Sequence, residues 1–264
     1  MQIKDIINKE NQDLILALSY ILGESKSYIL LNKNQELSEI DYQRLLEIEE
    51  KLGKGYPLQY ALGTWDFYNI NLIVDERALI PRFETEIIVD YLINSNFNKK
   101  EILDIGCGSG AISLALAYNL KDSKILGIDI EDRALSLSKD NKQRLKIDNV
   151  DFLKSDLFEN IDKKFDIIIS NPPYINKNDY ENLENKLYYE PKSALYGGED
   201  GLYFYRLIIK DASIYLNKNG HLIFEIGYDQ KDKINELLIK SDFKNIINLK
   251  DFNGFDRFII AEKG

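Results

Sequence analysis

Glu101-Ile-Leu-Asp-Ile-Gly-Cys-Gly-Ser-Gly-Ala111 joins a short apolar run to three closely spaced glycines. The apolar run predicts a buried β-strand, and the glycines predict a tight turn into the N-terminus of a helix. The free N–H groups of such a turn favour a nucleotide-like ligand. The candidate cofactor-binding residues of this glycine loop are Gly106, Cys107, Gly108, Ser109 and Gly110.

Short apolar runs alternate with longer helical patterns after this loop, which predicts an α/β fold. The runs are Ile102–Ile105, Lys124–Asp129, Asp151–Leu153, Phe165–Ser170 and His221–Ile226. Two later runs, around Ile246-Ile247 and over Arg257–Ala261, have no helical pattern between them. We therefore predict a mostly parallel, Rossmann-like sheet of seven strands with helices on both faces and an antiparallel hairpin at one edge.

The second predicted strand ends in Asp129, about 20 residues after the glycine loop, where a carboxylate can accept hydrogen bonds from ribose hydroxyls. Gly106-x-Gly-x-x-Ala111 also fits the dinucleotide fingerprint, so a nicotinamide cofactor and S-adenosylmethionine both remain possible ligands at this point. Asp104 before the first glycine and Glu131 after Asp129 resemble class I methyltransferases, which implies S-adenosylmethionine as the cofactor. The cysteine within the loop, Cys107, needs no redox role there.

Asn171-Pro172-Pro173-Tyr174 follows the predicted strand Phe165–Ser170, at the strand end where ligands bind in open α/β sheets. Two prolines stiffen the loop, so that the Asn171 side chain and the Pro172 carbonyl present two acceptors suited to an NH2 group. Tyr174 can stack on a planar group beside them. The tetrapeptide predicts amino-nitrogen methylation, with Asn171, Pro172 and Tyr174 as catalytic residues and Pro173 as a further substrate contact. It leaves adenine, guanine and glutamine open as acceptors.

The composition argues against nucleic-acid partners, metal sites and membrane spans. The 44 acidic residues exceed the 34 basic ones and give a net charge of −10, which disfavours stable nucleic-acid binding. One cysteine and one histidine exclude Cys-rich and His-pair metal sites, and we predict no metal. No apolar run is long enough to span a bilayer, and the early apolar stretch lacks a basic leader. We expect a cytoplasmic protein with no membrane partner, and a structural role for His221.

Helical spacing of apolar residues over Ile3–Lys54 predicts a small N-terminal bundle, and alternating aromatic and polar residues from Thr64 predict a β-hairpin. We predict three parts: a helical domain over 1–63, a hairpin linker over 64–76 and a catalytic domain over 77–264.

The chain resembles the release factor glutamine methyltransferases, the HemK/PrmC family, over most of its length. The resemblance lies in the glycine loop, the Asn171–Tyr174 tetrapeptide and six further segments: Pro57–Gly63, Leu79–Glu86, Ser155–Phe158, Glu190–Leu202, Phe224–Gly227 and Asp251–Arg257. Phe83 stands where the family usually has a second proline, and Leu157 where it often has an aromatic residue.

The resemblance implies methyl transfer from S-adenosylmethionine, leaving S-adenosylhomocysteine, to the glutamine amide nitrogen in the Gly-Gly-Gln loop of peptide chain release factors. It implies that the helical domain recognises the release factor. Cofactor contacts would be the glycine loop for the amino-acid part, Asp129 for the ribose, Leu157 for the adenine, and Asn171. Cleft-lining residues would be Arg82, Thr85, Glu86 and Glu190. The alternative is an N6-adenine or N2-guanine methyltransferase acting on DNA or RNA.

Overall fold

The computed structural model describes residues 1–264, which divide into two compact units. The helical unit comprises Met1–Thr64 together with Glu184–Tyr189, and the sheet unit comprises Trp65–Leu183 together with Glu190–Gly264. None of the helices combines the length and the apolar composition that crossing a bilayer demands.

Five helices build the helical unit: α1 (Ile3–Ile7), α2 (Gln12–Leu22), α3 (Lys26–Leu31), α4 (Glu39–Gly53) and α5 (Leu58–Leu62). Helix α2 begins where the Asn11 side chain accepts hydrogen bonds from two backbone N–H groups, and it ends at Gly23 in the left-handed conformation. Leu14 and Leu18 of α2 and Leu45 and Ile48 of α4 are buried, as the helical spacing of the apolar residues predicts.

Glu184–Tyr189 belongs to the helical unit although it lies far along the chain, and most of it forms a short 3₁₀ helix. The Tyr189 hydroxyl donates a hydrogen bond of 3.1 Å to the carbonyl of Lys54. The rings of Tyr56 and Tyr189 meet edge to face, with their centroids 5.1 Å apart. The helical unit is therefore assembled from two separate stretches of sequence.

The chain also forms six further α-helices and nine strands, and β1 and β2 form a hairpin. The helices are α6 (Glu86–Asn94), α7 (Ala111–Asn119), α8 (Asp132–Leu145), α9 (Lys177–Glu181), α10 (Tyr203–Tyr215) and α11 (Lys231–Lys240). The strands are β1 (Thr64–Phe67), β2 (Ile70–Ile73), β3 (Glu101–Ile105), β4 (Lys124–Asp129), β5 (Val150–Lys154), β6 (Phe165–Ser170), β7 (Leu216–Glu225), β8 (Phe243–Lys250) and β9 (Asp256–Lys263).

Seven strands form one sheet in the order β5-β4-β3-β6-β7-β9-β8. The first five run parallel, and β9 pairs antiparallel with both β7 and β8. This confirms the predicted α/β fold with an antiparallel edge hairpin. Strand β7 starts at Leu216, five residues before the predicted start at His221. The sequence does not predict this extension, because Leu216-Asn-Lys-Asn-Gly220 lacks the apolar pattern of a buried strand and pairs irregularly with β6.

Helices cover both faces of this sheet. Leu103, Ile168 and Phe224 face a core shared with α10, where Tyr205 is fully buried. Successive side chains of a strand point to opposite faces, so Asp104 lies on the other face and bonds to Ser113 of α7. Because β6 is covered on both faces, all six of its residues are buried.

Candidate active site

The strand register brings four loops to one edge of the sheet. Ile105 at the end of β3 pairs with Ile128 of β4 on one side and with Ser170 of β6 on the other. Ser170 in turn pairs with Phe224 near the end of β7. The loops after β3, β4, β6 and β7 therefore start at the same level, and these loops carry most of the predicted site residues.

The glycine loop is held by the neighbouring strand. The backbone N–H groups of Gly106 and Cys107 both donate to the carbonyl of Ile128, at 2.8 and 2.9 Å. Gly110 has a φ of +81°, and a Cβ there would lie 2.9 Å from the ring of Phe152, so only glycine fits without strain. The Cys107 thiol is buried, and this burial raises its pKa, which keeps it protonated and unreactive.

Two aspartates fix the shape of this loop. Asp129 accepts hydrogen bonds from the backbone N–H groups of Gly108 and Glu131, at 2.9 and 3.0 Å. Asp104 is buried beneath the loop and accepts from the backbone and the hydroxyl of Ser113, at 3.1 and 2.5 Å. The other carboxyl oxygen of Asp104 is buried without a hydrogen-bond partner. Burial raises the pKa of Asp104 to about 7 and also raises that of Asp129.

Leu157 lies next to Asp129 through the turn after β5. The backbone N–H of Ser155 donates to the carbonyl of Asp129, and the Ser155 hydroxyl donates to the carbonyl of Leu157 at 2.7 Å. Leu157 has a φ of +47°, an unfavourable conformation for a leucine that often marks a functional loop. Its half-buried side chain packs partly against the core cluster that includes Ile128 and Phe158.

The Asn171–Tyr174 loop starts directly after β6. Pro172 is buried, whereas Asn171, Pro173 and Tyr174 are half-buried. The Asn171 side chain and the Pro172 carbonyl make no hydrogen bond within the protein, so both acceptors are available. Burial raises the pKa of Tyr174 to about 12, and the nearby Glu225 carboxyl adds to this effect. The hydroxyl of Tyr174 is therefore neutral at physiological pH, and its half-buried ring packs partly against the core of the sheet unit.

Arg82 and Glu190 are brought together from distant parts of the sequence. The fully buried Glu190 side chain accepts hydrogen bonds from the backbone N–H of Ile80 at 3.0 Å and from the Arg82 guanidinium at 2.5 Å. Thr85 donates at 2.6 Å to the buried carboxyl of Glu225, whose pKa burial raises to about 7. Glu86, in contrast, interacts with the backbone of Tyr68 in the hairpin and lies outside these contacts.

The side chains that fix the loops in place were not among the predicted site residues. Gln230 bonds to the backbone of Tyr174, and Asn141 bonds to the carbonyl of Ser109 at 3.0 Å. Local sequence gives no sign of either contact, because each partner lies tens of residues away. Glu225 did carry a signal, since it is an acid at the end of an apolar strand.

His221 lies within β7, away from the strand end that bears the site. Its imidazole stacks on the ring of Phe97, with the centroids 3.8 Å apart. Burial lowers its pKa, which favours the neutral form at physiological pH. These contacts agree with the predicted structural role.

Two family models match the chain. The methyltransferase small domain matches residues 83–258, and the PrmC N-terminal domain matches residues 2–63. The first match covers the glycine loop, Asp129 and the Asn171–Tyr174 loop.

Curated relatives match along nearly the whole chain. A release factor glutamine methyltransferase of Fusobacterium nucleatum is 43% identical over 257 residues, which cover 95% of this chain and 73% of the relative. One of Clostridium botulinum is 39% identical over 259 residues, which cover 95% of this chain and 91% of the relative.

Solved structures share the fold at lower identity. A T. thermophilus 16S rRNA methyltransferase in complex with AdoMet and guanosine superposes with a TM-score of 0.54 at 16% identity. The match covers 76% of this chain and 50% of that one. At this identity the likeness concerns the fold alone.

Proposed function

The chain belongs to the family of release factor glutamine methyltransferases, and from this premise we propose that it methylates the glutamine of the Gly-Gly-Gln loop in peptide chain release factors. The methyl group comes from S-adenosylmethionine, and its acceptor is the side-chain amide nitrogen, N5. The observation that carries the proposal is the pair of available acceptors, Asn171 and Pro172, at the sheet edge that also bears the glycine loop.

The residues at the end of β3 and β4 fit S-adenosylmethionine. No atom lies within 4 Å of a Cβ built on Gly106, so the exposed turn leaves room for a ligand against its backbone. The unpartnered oxygen of Asp104 adds a buried acceptor below the turn. We assign the glycine loop to the amino-acid part, Asp129 to the ribose, Leu157 to the adenine, and Asn171 to both cofactor and substrate.

Both oxygens of Asp129 already accept hydrogen bonds from backbone N–H groups. Each carboxylate oxygen has a second lone pair, so Asp129 can also accept hydrogen bonds from the ribose hydroxyls. When bound, the cofactor supplies a methyl group on a positively charged sulfur, which is already activated for transfer.

The remaining task of the protein is orientation. The Asn171 side-chain oxygen and the Pro172 carbonyl accept the two N–H groups of the glutamine amide, which directs the nitrogen lone pair toward the methyl group. Holding two reactants in line contributes roughly 7 to 11 kcal/mol in well-organised systems. The same acceptors would stabilise the positive charge on the amide nitrogen during the transfer, in which the methyl group leaves the sulfonium and the nitrogen loses one of its two protons. The Tyr174 ring packs against the planar amide.

The surrounding residues support this arrangement. We assign Arg82 and Glu190 to one wall of the proposed cleft and Thr85 with Glu225 to a second, and a short hydrogen bond fixes each pair. We assign substrate recognition to residues 1–63, the link between domains to the hairpin over 64–76, and catalysis to residues 77–264.

The decisive experiment incubates the chain with methyl-labelled S-adenosylmethionine and a release factor. We expect one methyl group on the peptide that contains the Gly-Gly-Gln loop, detected by mass spectrometry. The matched control is a release factor whose loop glutamine is replaced. An unlabelled wild-type factor, or label that persists on the control, overturns the proposed function.

A parallel assay with RNA and DNA tests the alternative acceptor class. The net charge of −10 predicts weak association with nucleic acid at physiological salt. Transfer of label to adenine or guanine amino groups, together with steeply salt-dependent binding, would instead support a nucleic-acid methyltransferase.

A further inference from the structure

Gln230 joins three loops at the proposed site, and among the predicted substrate contacts its side chain reaches only the backbone carbonyl of Tyr174. Its amide nitrogen donates to the carbonyls of Tyr174 and Gly201, at 3.0 and 3.2 Å. Its amide oxygen accepts from the backbone N–H of Gly227 at 2.9 Å. The residue is only 7% exposed, so water does not replace these bonds.

The loop that contains Gly197 and Gly201 lies directly on the backbone of the tetrapeptide. A Cβ on Gly201 would lie 2.3 Å from the Tyr174 carbonyl oxygen, and one on Gly197 would lie 2.6 Å from the Pro173 carbonyl oxygen. Ile175 continues the contact, since its N–H donates to Leu195 and its carbonyl accepts from Gly197. No side chain separates the two loops, so their positions depend on each other.

The tetrapeptide is thereby fixed at both ends. At its start, the hydroxyl of Ser170 donates to the carbonyl of Ile105 at 2.8 Å. Between the ends, Pro172 and Pro173 have ring-restricted φ angles and contribute little freedom. The direction of the Pro172 carbonyl therefore depends on how firmly the far end, at Tyr174, is held.

We propose that Gln230 is a positioning residue for methyl transfer, which fixes the Tyr174 carbonyl and through it the two acceptors, Asn171 and Pro172. This inference rests on the proposed function for its catalytic meaning. The position requires a long side chain with two N–H donors for the two carbonyls and one acceptor for an N–H group. Among the amino acids, only glutamine offers this set at this length.

The test variant is Gln230→Glu, which keeps the shape and the acceptor but loses both donors. We expect kcat to fall by about 100-fold, the effect of a small misplacement of reacting groups, with the affinity for S-adenosylmethionine unchanged. The matched control is Gln143→Glu on the exposed side of α8, which adds the same charge and should leave kcat unchanged.

The pH profile separates positioning from mere packing. A glutamate facing two carbonyls has a raised pKa, and its protonated form can donate one of the two lost hydrogen bonds. The ratio of wild-type to variant kcat should therefore shrink as the pH is lowered. A constant ratio, or a variant as active as Gln143→Glu, overturns the proposal.

Hydrogen exchange in the full chain gives a readout that does not depend on the substrate. We expect the amide of Ile175 to exchange about tenfold faster in Gln230→Glu than in Gln143→Glu, since the loop opens more easily. Unchanged exchange overturns the positioning role even if no release factor is methylated. A wild-type chain that leaves release factors unlabelled, with exchange as expected, overturns the proposed function alone.

Discussion

At the level of single residues, the hydrogen bonds that a group makes within the protein decide whether it can bind a substrate or only stabilise the fold. Asn171 and the Pro172 carbonyl offer acceptors that the fold leaves unused, whereas the buried carboxyls of Asp104 and Glu225 each depend on a hydroxyl donor. A buried carboxyl without a hydrogen-bond partner would destabilise the sheet unit. The hydroxyls of Ser113 and Thr85 reduce this cost by donating to Asp104 and Glu225.

Replacing Asn171 tests the acceptor pair. We expect Asn171→Ala to lower kcat by about 100- to 1000-fold, the usual effect of removing one group that stabilises charge in the transition state. Calorimetric titration with S-adenosylhomocysteine should show a much smaller loss of affinity, since the glycine loop and Asp129 keep the other proposed cofactor contacts. Turnover equal to that of the wild type would contradict the proposed mechanism.

Replacing Thr85 tests the donor to Glu225. Thr85→Val removes the hydroxyl but keeps the shape, and we expect a loss of about 1 to 3 kcal/mol in the free energy of unfolding. The control, Thr64→Val in the half-exposed start of β1, should change stability by less than about 0.5 kcal/mol in urea unfolding. Equal losses in the free energy of unfolding of the two variants would show that the hydrogen bond from Thr85 to Glu225 does not stabilise the fold.

At the scale of elements, one amide of α8 connects β2 to the glycine loop. The Asn141 side chain accepts from the backbone N–H of Ile73 at 2.7 Å and donates to the Ile73 carbonyl at 3.1 Å. It also donates to the carbonyl of Ser109. The hairpin strand and the loop between β3 and α7 are therefore held by the same fully buried side chain.

This connection predicts that a substitution outside the loop weakens cofactor binding. Asn141→Ala leaves three backbone groups without partners, and we expect a tenfold weaker affinity for S-adenosylmethionine, about 1.4 kcal/mol. Asn119→Ala serves as the control, because its side chain bonds only within α7. Equal affinities of the two variants in a binding titration would refute the connection.

The sequence predicts strands, helices and loops where a local pattern determines them. It does not predict the side-chain contacts between residues that are distant in sequence. The glycine loop, β6 and the tetrapeptide are contiguous in sequence, so the sheet and its ligand-bearing edge follow from periodicity and turn chemistry. The bonds of Glu190 to Ile80 and of Gln230 to Tyr174 join residues 110 and 56 positions apart. Only the three-dimensional fold brings such partners together, which is why the residues that fix the loops escaped prediction.

For the molecule as a whole, stability depends on pH through the two buried carboxyls. Burial raises the pKa of Asp104 and Glu225 from near 4 to about 7. Between these values the folded chain binds more protons than the unfolded chain at both sites, so their contribution to stability falls as the pH rises from 4 to 7. The carboxyls with lowered pKa values, such as Asp200 and Asp251, lose their stabilising contribution only in more acidic solution.

We predict that the combined substitution of Asp104→Asn and Glu225→Gln reduces this dependence. The wild type should lose more thermal stability between pH 5 and pH 8 than the variant does, measured by the fluorescence of Trp65. The lowered pKa of His221 gives an opposite slope, but it is present in both chains and cancels in the comparison. Parallel pH profiles would contradict the prediction.

The split composition of the helical unit has a consequence for synthesis on the ribosome. Its first part ends at Thr64, and its last six residues, Glu184–Tyr189, follow about 120 residues later. At about 5 to 20 residues per second, translation needs on the order of ten seconds to supply them. The five N-terminal helices must therefore wait, incompletely packed around Lys54 and Tyr56, until most of the sheet unit has been translated.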